Sequence, residues 1–427
     1  MSEALDTVLN GAATPSGTPA FAGGDAQDRT GRRTAAGVAA RGGIAGAGPV
    51  ARGAGALPDV FAGGLDRLAA PFRPRGAAPR ATRVVSAFEF WPGWLFYIPV
   101  VAHWVVLGVR HGGFSLPTAA NPHVATGGLC GESKTSILDQ SEGEARSLIA
   151  PYVTLVTGEA DAARARAAMR AGGLGLPVVV KPDIGCNGAG VRLVEDEAAL
   201  ARALAAFPRG VALVLQELVA WKGEAGVFYL RRPDEAHGRL TSITLKHAAS
   251  VEGDGVSTLR ALVLAHPRHG RVPGLYLPRL RARLDTVPAA GETVRLVFAG
   301  NHCKGSEFRD GTALATPALA ARIDALMRSM PDFHFGRVDL RFASLDALRR
   351  GEFRVIEING VGSEATHIWD PRTSLRDAYA VQFAHYRAAF EIGRDMCRRG
   401  ARPSGALGML RLWRLQRRLM ASYPMND

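Results

Sequence analysis

Two short segments near residues 340 and 357 carry the residue types with the clearest chemistry. Residues 335–340 contain Asp339, and residues 353–359 end in Glu357 and Asn359. Side chains two positions apart on a strand share a face, so Glu357 and Asn359 point the same way. If the strand of Asp339 pairs alongside, three oxygen donors converge, as magnesium bound to substrate phosphates requires. The sequence predicts a metal site of Asp339, Glu357 and Asn359, in preference to solvated acids.

A lysine at the end of an apolar run precedes a glycine-rich loop. Residues 178–182 read as a buried strand that ends with Lys181, and residues 185–190 follow at once. Glycines let backbone N–H groups approach an anion, and Lys181 can neutralise phosphate charge. A simple turn is the alternative, because the spacing matches neither a Walker A nor a dinucleotide motif. The candidate contacts in the loop are Gly185, Asn187, Gly188, Ala189 and Gly190.

A third segment, residues 216–224, suits a nucleoside. The edge of such a strand offers backbone N–H and C=O groups to an adenine ring, and a following carboxylate can accept hydrogen bonds from ribose. An edge strand with solvated acids is the alternative. The candidate contacts are Glu217, Leu218, Val219, Ala220 and Glu224.

The elements that position these residues alternate between helix and strand after residue 151. Apolar patterning predicts strands at 178–182, 212–219, 226–231, 240–249, 292–299, 336–342 and 353–359. It predicts helices near residue 132 and at 159–171, 196–206, 256–266 and 316–329. Because several strands follow one another without a helix, the pattern favours an α+β fold with antiparallel sheets.

In the order of these residues the chain resembles the ATP-grasp superfamily. The branch it resembles comprises the D-alanine:D-alanine ligase-like and cyanophycin-synthetase-like carboxylate–amine ligases. The spacings from Lys134 to Lys181 and from Glu217 to Glu224 are similar to those of D-alanine:D-alanine ligases. Residues 251–259 are similar to a segment of cyanophycin synthetases, and residues 291–312 look like their substrate-side loop.

The resemblance implies an ATP-grasp fold, in which two α+β subdomains sandwich ATP, and it implies the role of each residue. Lys134 and Lys181 would contact the phosphates under a lid of residues 185–190, and residues 217–220 would hold adenine, with Glu224 on ribose. Asp339, Glu357 and Asn359 would bind one or two Mg²⁺ ions, for which Mn²⁺ could substitute. Arg337 would stabilise an acyl phosphate and the tetrahedral intermediate.

The implied enzyme is an acid–amino acid ligase. A carboxylate would attack the γ-phosphate of ATP, and an amine would then displace phosphate, which leaves an amide. Lys304, His302 and His367 are candidates for a general base, and none can be assigned. Two alternatives stay open: a catalytically silent or membrane-tethered ATP-binding module, and an ATP-grasp kinase.

Composition and patterning divide the chain into five parts. We expect a disordered Ala/Gly/Arg-rich tail over 1–80, an atypical aromatic segment over 81–130, and an N-terminal ATP-grasp subdomain with the phosphate lid over 131–225. The C-terminal subdomain with the metal site would span 226–395, and a basic amphipathic helix 396–427. Within residues 360–364, the sequence departs from the family pattern after the metal-binding asparagine.

Residues 88–109 form the most apolar and aromatic stretch. Pro92 and Pro99 are expected to interrupt a helix there, which favours a buried or interfacial segment over a membrane span. The chain has a formal net charge of +13 but no nucleic-acid-binding signature, and no secretory signal. We expect a cytoplasmic enzyme with small-molecule carboxylate and amine substrates. Peripheral membrane contact through 88–109 or the C-terminal helix stays open, as does oligomerisation.

Overall fold

The computed structural model describes residues 85–298, 300 and 305–425, and this part of the chain is mixed helix and sheet. The predicted tail over 1–80 and Lys304 lie outside the described residues. The helices are α1 Gly93–His111, α2 Lys134–Leu138, α3 Asp161–Ala171, α4 Glu197–Ala205, α5 Leu259–Ala265, α6 Pro317–Arg328, α7 Leu345–Arg349, α8 Leu375–Arg398 and α9 Gly405–Ala421.

The strands form three antiparallel sheets. They are β1 Tyr152–Val156, β2 Val178–Pro182, β3 Arg192–Val194, β4 Ala212–Glu217, β5 Gly223–Leu230, β6 Arg239–His247, β7 Ser250–Glu252, β8 Thr293–Arg295, β9 Glu307–Asp310, β10 Phe335–Phe342 and β11 Arg354–Asn359. The first sheet has the order β1-β4-β2-β3, and the second has the order β11-β10-β5-β6-β9. Strands β7 and β8 pair separately.

The helices begin where the sequence supplies a cap. Six of them start after a Ser, Thr or Asp whose side-chain oxygen accepts a hydrogen bond from a backbone N–H of the first turn, which satisfies a donor that the helix leaves unpaired. These capping residues are Ser133, Asp196, Thr258, Thr316, Ser344 and Ser374. The helices predicted near 132 and at 159–171, 196–206, 256–266 and 316–329 are confirmed within a few residues.

Each sheet has its own apolar core. In the first sheet, Val178, Val180, Leu213 and Leu215 are fully buried and pack with α3 and α4. The second sheet packs one face on α6. Its other face is apolar at one end, where Phe228, Leu230 and Phe335 pack in a core with α1 and α8, and polar where it carries Asp339.

Helix α1 runs through Pro99, so the predicted interruption there is wrong. Pro92 stands at the N-terminal boundary, where its missing N–H costs little. The loss of one hydrogen bond at Pro99 is offset by packing, because α1 lies along α8: the Phe96 and Tyr379 rings stack at 5.2 Å, and the Trp104 and Phe390 rings meet at 4.9 Å. Among the described residues, α1 is the one helix long and apolar enough to cross a membrane.

Helix α9 packs along one face on its own chain. Leu412 lies against the backbone of Gly131, and the Tyr423 hydroxyl, just past the helix, donates to the Ile184 carbonyl oxygen at 2.8 Å. The Tyr423 ring also meets Phe207 at 5.9 Å between centroids. The helix therefore borders the glycine-rich loop.

Candidate active site

The two acidic strands lie side by side. Strands β10 and β11 pair antiparallel with Asp339 opposite Glu357 and Arg337 opposite Asn359, so the four side chains share one face of the sheet. The Arg337 guanidinium donates to both oxygens of Asp339, at 2.9 and 3.1 Å. Asn359 Nδ2 lies 3.3 Å from Asp339 Oδ2. The convergence predicted from the sequence is confirmed, and a metal-binding role for these residues stays a prediction.

Gly226 makes room for the Arg337–Asp339 pair. It stands opposite Asp339 on β5, and a Cβ atom there would lie 3.0 Å from both Asp339 Oδ1 and Arg337 Cδ. That separation is tighter than most Cβ contacts, so a larger residue would displace the pair. Gly226 therefore leaves space for a ligand beside the Arg337–Asp339 pair.

Lys246 on β6 is a site residue that the sequence did not reveal. Its ammonium lies 3.0 Å from Asp339 Oδ1 and 3.6 Å from Glu224 Oε1. Burial alone would raise the pKa of Asp339, but Arg337 and Lys246 outweigh it and hold that pKa below its usual value. No local pattern marks Lys246, because β6 mixes apolar and polar residues, and only the β5–β6 register places it opposite Glu224.

Replacing Lys246 by methionine is expected to lower the free energy of unfolding by about 2 kcal/mol, because two buried carboxylates lose a cation while Arg337 and Arg341 remain as partners. Denaturant unfolding measures the change. The matched control is Lys222→Met at an exposed position, which should shift stability by less than about 0.5 kcal/mol. Equal stability of the two variants would contradict the prediction.

Two lysines reach Glu357 from the other side. Lys134 opens α2, and its ammonium lies 3.4 Å from Glu357 Oε1 and 2.6 Å from the Gly185 carbonyl oxygen. Lys181 is the last residue but one of β2 and donates to Gln216 Oε1 and to the Ile356 carbonyl oxygen, both at 2.8 Å. Burial would raise the pKa of Glu357, but Lys134 and Lys181 outweigh it and lower that pKa. Burial also lowers the pKa of Lys181 to about 8.

The glycine-rich loop joins β2 to β3 beside these lysines. Asn187, Gly188 and Gly190 have positive φ angles of 55°, 68° and 70°, which favour glycine or asparagine. Two contacts hold α2 against the loop: the Lys134 backbone N–H donates to the Asp183 carbonyl oxygen, and Thr135 donates to Asp183 Oδ1. The turn therefore presents its backbone next to two ammonium groups.

The side-chain amide of Gln416 on α9 contacts both the segment before Lys134 and the glycine-rich loop. Its Oε1 accepts a hydrogen bond from the Gly131 backbone N–H at 2.5 Å, and its Nε2 donates to Cys186 Sγ at 3.2 Å. The side chain is 5% exposed. One amide thus ties the segment before Lys134 to the glycine-rich loop.

One cavity of about 580 Å³, a volume typical of small-molecule sites, is lined by Lys134, Lys181, Lys246, Arg337, Asp339, Glu357, Asn359 and Gln416. Two of the predicted site residues do not line it: Gly190 packs against Pro182 and Phe207, and Ala220 lies outside the lining. Lys304 lies beyond the described residues, so its role stays a prediction. The predicted residues that do line it are Lys134, Lys181, Gly185, Asn187, Gly188, Ala189, Glu217, Leu218, Val219, Glu224, Arg337, Asp339, Glu357 and Asn359.

Arg341 fixes the segment predicted for a nucleoside. Its guanidinium donates to the carbonyl oxygens of Val219 and Trp221, at 3.0 and 3.3 Å, and pairs with Glu224 Oε2 at 3.3 Å. The chain after β4 is thereby held against the second sheet. Arg341 shares a face with Asp339 two positions earlier, which is the signal that could have identified it.

Three further carboxylates, those of Glu89, Glu132 and Glu364, line the cavity without having been predicted. Glu132 stands two positions before Lys134, and burial raises the pKa of its carboxyl. Glu364 accepts hydrogen bonds from the Tyr97 hydroxyl at 2.6 Å and from Gln382 at 3.0 Å. Within the described residues, no group of three or more His, Cys, Asp and Glu side chains is placed to bind a metal ion. The hard oxygen donors here are the carboxylates of Asp339 and Glu357 with the amide of Asn359.

Comparison with known proteins finds no matching family model and no matching curated protein. Solved structures do match. A bifunctional glutathione synthetase from Pasteurella multocida aligns at 19% identity and a TM-score of 0.32, over 59% of this chain and 36% of that one. The alignment thus spans about a third of that enzyme's length.

Two other solved structures cover more of their own length. VanG D-Ala:D-Ser ligase from Enterococcus faecalis aligns at 15% identity and a TM-score of 0.32, over 59% of this chain and 63% of that one. D-alanine–D-alanine ligase from Bacillus anthracis aligns at 14% identity and a TM-score of 0.38, over 65% and 71%.

Proposed function

We propose that this chain is an ATP-dependent carboxylate–amine ligase that forms an amide through an acyl phosphate. The observation that carries the proposal is the meeting of the buried Asp339 carboxylate, the half-buried Glu357 carboxylate and two lysines at one wall of the cavity, with Lys134 lying 3.4 Å from Glu357. Hard oxygen donors and ammonium groups at this separation suit a polyphosphate and its magnesium ions. A nucleoside would lie along residues 217–220, with Glu224 near the ribose.

The proposed roles follow from the charges. Lys134 and Lys181 bind the phosphates, and the turn of residues 185–190 covers them with backbone N–H groups. Asp339, Glu357 and Asn359 would hold magnesium, which supplies charge neutralisation when bound. The Arg337 guanidinium lies beside Asp339. It would stabilise the negative charge that develops on the transferred phosphoryl group and on the oxygen of the acyl group.

The two larger sheets are the proposed halves of an ATP-grasp fold. Residues 131–225 supply the first sheet and the phosphate loop, and residues 226–395 supply most of the second sheet and the acids. Lys181 supports this arrangement, because it extends from β2 to the Ile356 carbonyl oxygen of β11. ATP would lie between the sheets, at the junction that this contact marks.

Release of ADP tests the proposal. The chain is incubated with ATP, Mg²⁺ and a panel of amino acids and small carboxylate–amine pairs, and ADP and products are measured. A ligase releases ADP only when both substrates are present, and mass spectrometry detects an amide. Tight ATP binding without turnover would show a silent module, and a phosphate ester would show a kinase. Either result would overturn the proposal.

A second candidate role, membrane attachment, is favoured by the outer face of α1. Opposite the side that packs on α8, this helix exposes large apolar side chains, including Ile98 at 51%, Val106 at 58% and Val109 at 70%. A helix that is apolar all round is buried in a protein or in lipid. Arg110 near the end of the helix and the net charge of +13 suit anionic lipid. We propose that this face contacts an anionic bilayer.

Vesicle sedimentation tests the contact. Wild type should co-sediment with vesicles that contain phosphatidylserine, and the double variant Ile98→Asp/Val106→Asp should bind them at least about tenfold more weakly. Val256→Asp is the matched control, since Val256 is 82% exposed in the loop between β7 and α5. Unchanged vesicle binding by the double variant would refute the proposal. A dimer that the double variant disrupts would instead assign the face to a second copy.

A further inference from the structure

The cavity extends well past the proposed phosphate site. Across the second sheet, Arg341, Glu224, Lys246 and Phe308 stand opposite one another on successive strands β10, β5, β6 and β9. Neighbouring strands are about 4.8 Å apart, so Phe308 on the edge strand β9 lies roughly 19 Å across the sheet from β11, which carries Glu357. Phe308 nevertheless lines the same cavity as Glu357. The acids therefore occupy one end of an elongated site.

The character of the lining changes along this length. Near β11 it consists of ammonium groups, carboxylates and loop backbone. Near β9 it is richest in aromatic and branched apolar side chains, with Glu89, Thr366 and Lys246 beside them. We call this part the aromatic end of the cavity, and its apolar side chains are Phe90, Trp91, Val272, Leu275, Phe308 and Trp369. A polar boundary separates the two parts, where Tyr97 donates to the Glu364 carboxylate.

Two rings at the aromatic end are incompletely packed. Phe90 is 38% exposed and Trp91 is 39% exposed, although Phe308 and Trp369 beside the cavity are 4% and 9% exposed. Exposed aromatic surface in a concave site is favourably covered by an apolar ligand. A role in the protein's own core would instead leave Phe90 and Trp91 buried, as Phe88 is at 1%.

The aromatic end is also held in place. Arg268, from the segment between β7 and β8, pairs with Glu89, and these two side chains are 3% and 1% exposed. The same guanidinium lies 5.7 Å from the centre of the Phe90 ring and donates to the Ser306 carbonyl oxygen next to β9. A buried ion pair of this kind fixes geometry and costs much to break. It joins the three segments that supply Phe90, Leu275 and Phe308.

We infer that one of the two substrates carries a bulky apolar group, aromatic or branched, which binds in the aromatic end while its reacting group lies near Arg337. The inference rests on the ligase function proposed above and specifies its substrate class. The stretch before α1, which supplies Phe90 and Trp91, belongs to the atypical segment over 81–130.

The test compares matched substrates. ADP release is measured with phenylalanine and leucine against alanine and serine, each offered as the free amino acid and as the amide. Binding of N-acetylphenylalanine and N-acetylalanine is measured separately by calorimetry without ATP. Wild type should favour the bulky member of each pair, and Trp91→Ala should reduce that preference by on the order of 10- to 100-fold while leaving ATP affinity unchanged.

Control variants keep the test decisive. Leu275→Ser should show the same loss from the other side of the cavity, in case Trp91→Ala fails to fold. Phe114→Ala, at the far end of α1 and 53% exposed, should keep the wild-type preference. A wild type that prefers alanine or serine, with normal ADP release, would overturn the inference and leave the ligase function standing. Binding of N-acetylphenylalanine without any ADP release would overturn the ligase function and leave the binding of an apolar group in the aromatic end standing.

Discussion

Replacing Asp339 by asparagine is expected to reduce ADP release by on the order of 1,000-fold. The carboxylate is 3% exposed and lies between Arg337 and Lys246, opposite Glu357. The substitution removes one of the two carboxylates proposed to bind magnesium. It also leaves two buried cations without their shared partner, so the free energy of unfolding should fall by about 3 kcal/mol.

A structural effect and a metal effect can be separated by measuring ATP binding with and without Mg²⁺. Asp339→Asn should keep weak metal-free binding and lose the gain that Mg²⁺ gives wild type. Glu357→Gln should show the same pattern with a smaller loss of stability, because its partners Lys134 and Lys181 have other acceptors. The control is Asp346→Asn, an exposed residue paired with Arg349. Mg²⁺-dependent ATP binding that survives in both site variants would refute the metal assignment.

Replacing Lys181 by methionine is expected to abolish ADP release while making the protein more stable at neutral pH. The lysine is 7% exposed, and burial lowers its pKa from 10.5 to about 8. That lowering corresponds to a cost of about 3 kcal/mol for keeping the ammonium charged at pH 7. Methionine removes the cost but leaves Gln216 and the Ile356 carbonyl oxygen without their donor. The free energy of unfolding should therefore rise by about 1–2 kcal/mol.

The same pKa predicts two dependences on pH. Between about pH 8 and 10.5 the unfolded chain holds the Lys181 proton that the folded chain has lost, so this residue makes wild-type stability rise with pH in that window. The stability gained by Lys181→Met should shrink over the same range. Because phosphate binding needs the ammonium form, kcat/KM for ATP should fall as pH rises above about 8.

Unfolding curves and rate profiles over pH 6–10 measure both effects. Lys222→Met is the matched control, because Lys222 is exposed and should change neither the stability nor the pH profile. A Lys181→Met protein that releases ADP within tenfold of wild type would remove Lys181 from the site. A variant less stable than wild type at pH 7 would contradict the assigned cost of burial.

Local pattern was enough to predict the pieces of the site. The alternation around Glu357 and Asn359 gives their shared face, and the apolar run before Lys181 gives a buried strand that ends at the loop. Each depends on residues only a few positions apart. The confirmed helices and strands are of this kind, since their boundaries follow from caps and periodicity.

The roles of Lys246 and Glu364 could not be predicted from the sequence because they depend on long-range pairing, whereas Arg341 could have been identified from the face it shares with Asp339. Lys246 meets Asp339 only because β5 lies between β6 and β10, and a shift of one residue would turn it to the opposite face. Tyr97 meets Glu364 only because α1 packs beside α8. The long helix α8 was missed as well, although Ser374 caps it and its buried positions recur with helical spacing.

The bridge made by Gln416 links events inside the cavity to the outside of the molecule. If the glycine-rich loop moves when a nucleotide enters, the hydrogen bond from Gln416 to Cys186 must break or pull α9 with it. The outer side of α9 carries Arg414, Arg417 and Arg418. We therefore expect this cationic surface to change its position or mobility when a nucleotide binds. A partner that binds α9 could then distinguish the nucleotide-bound protein from the nucleotide-free one.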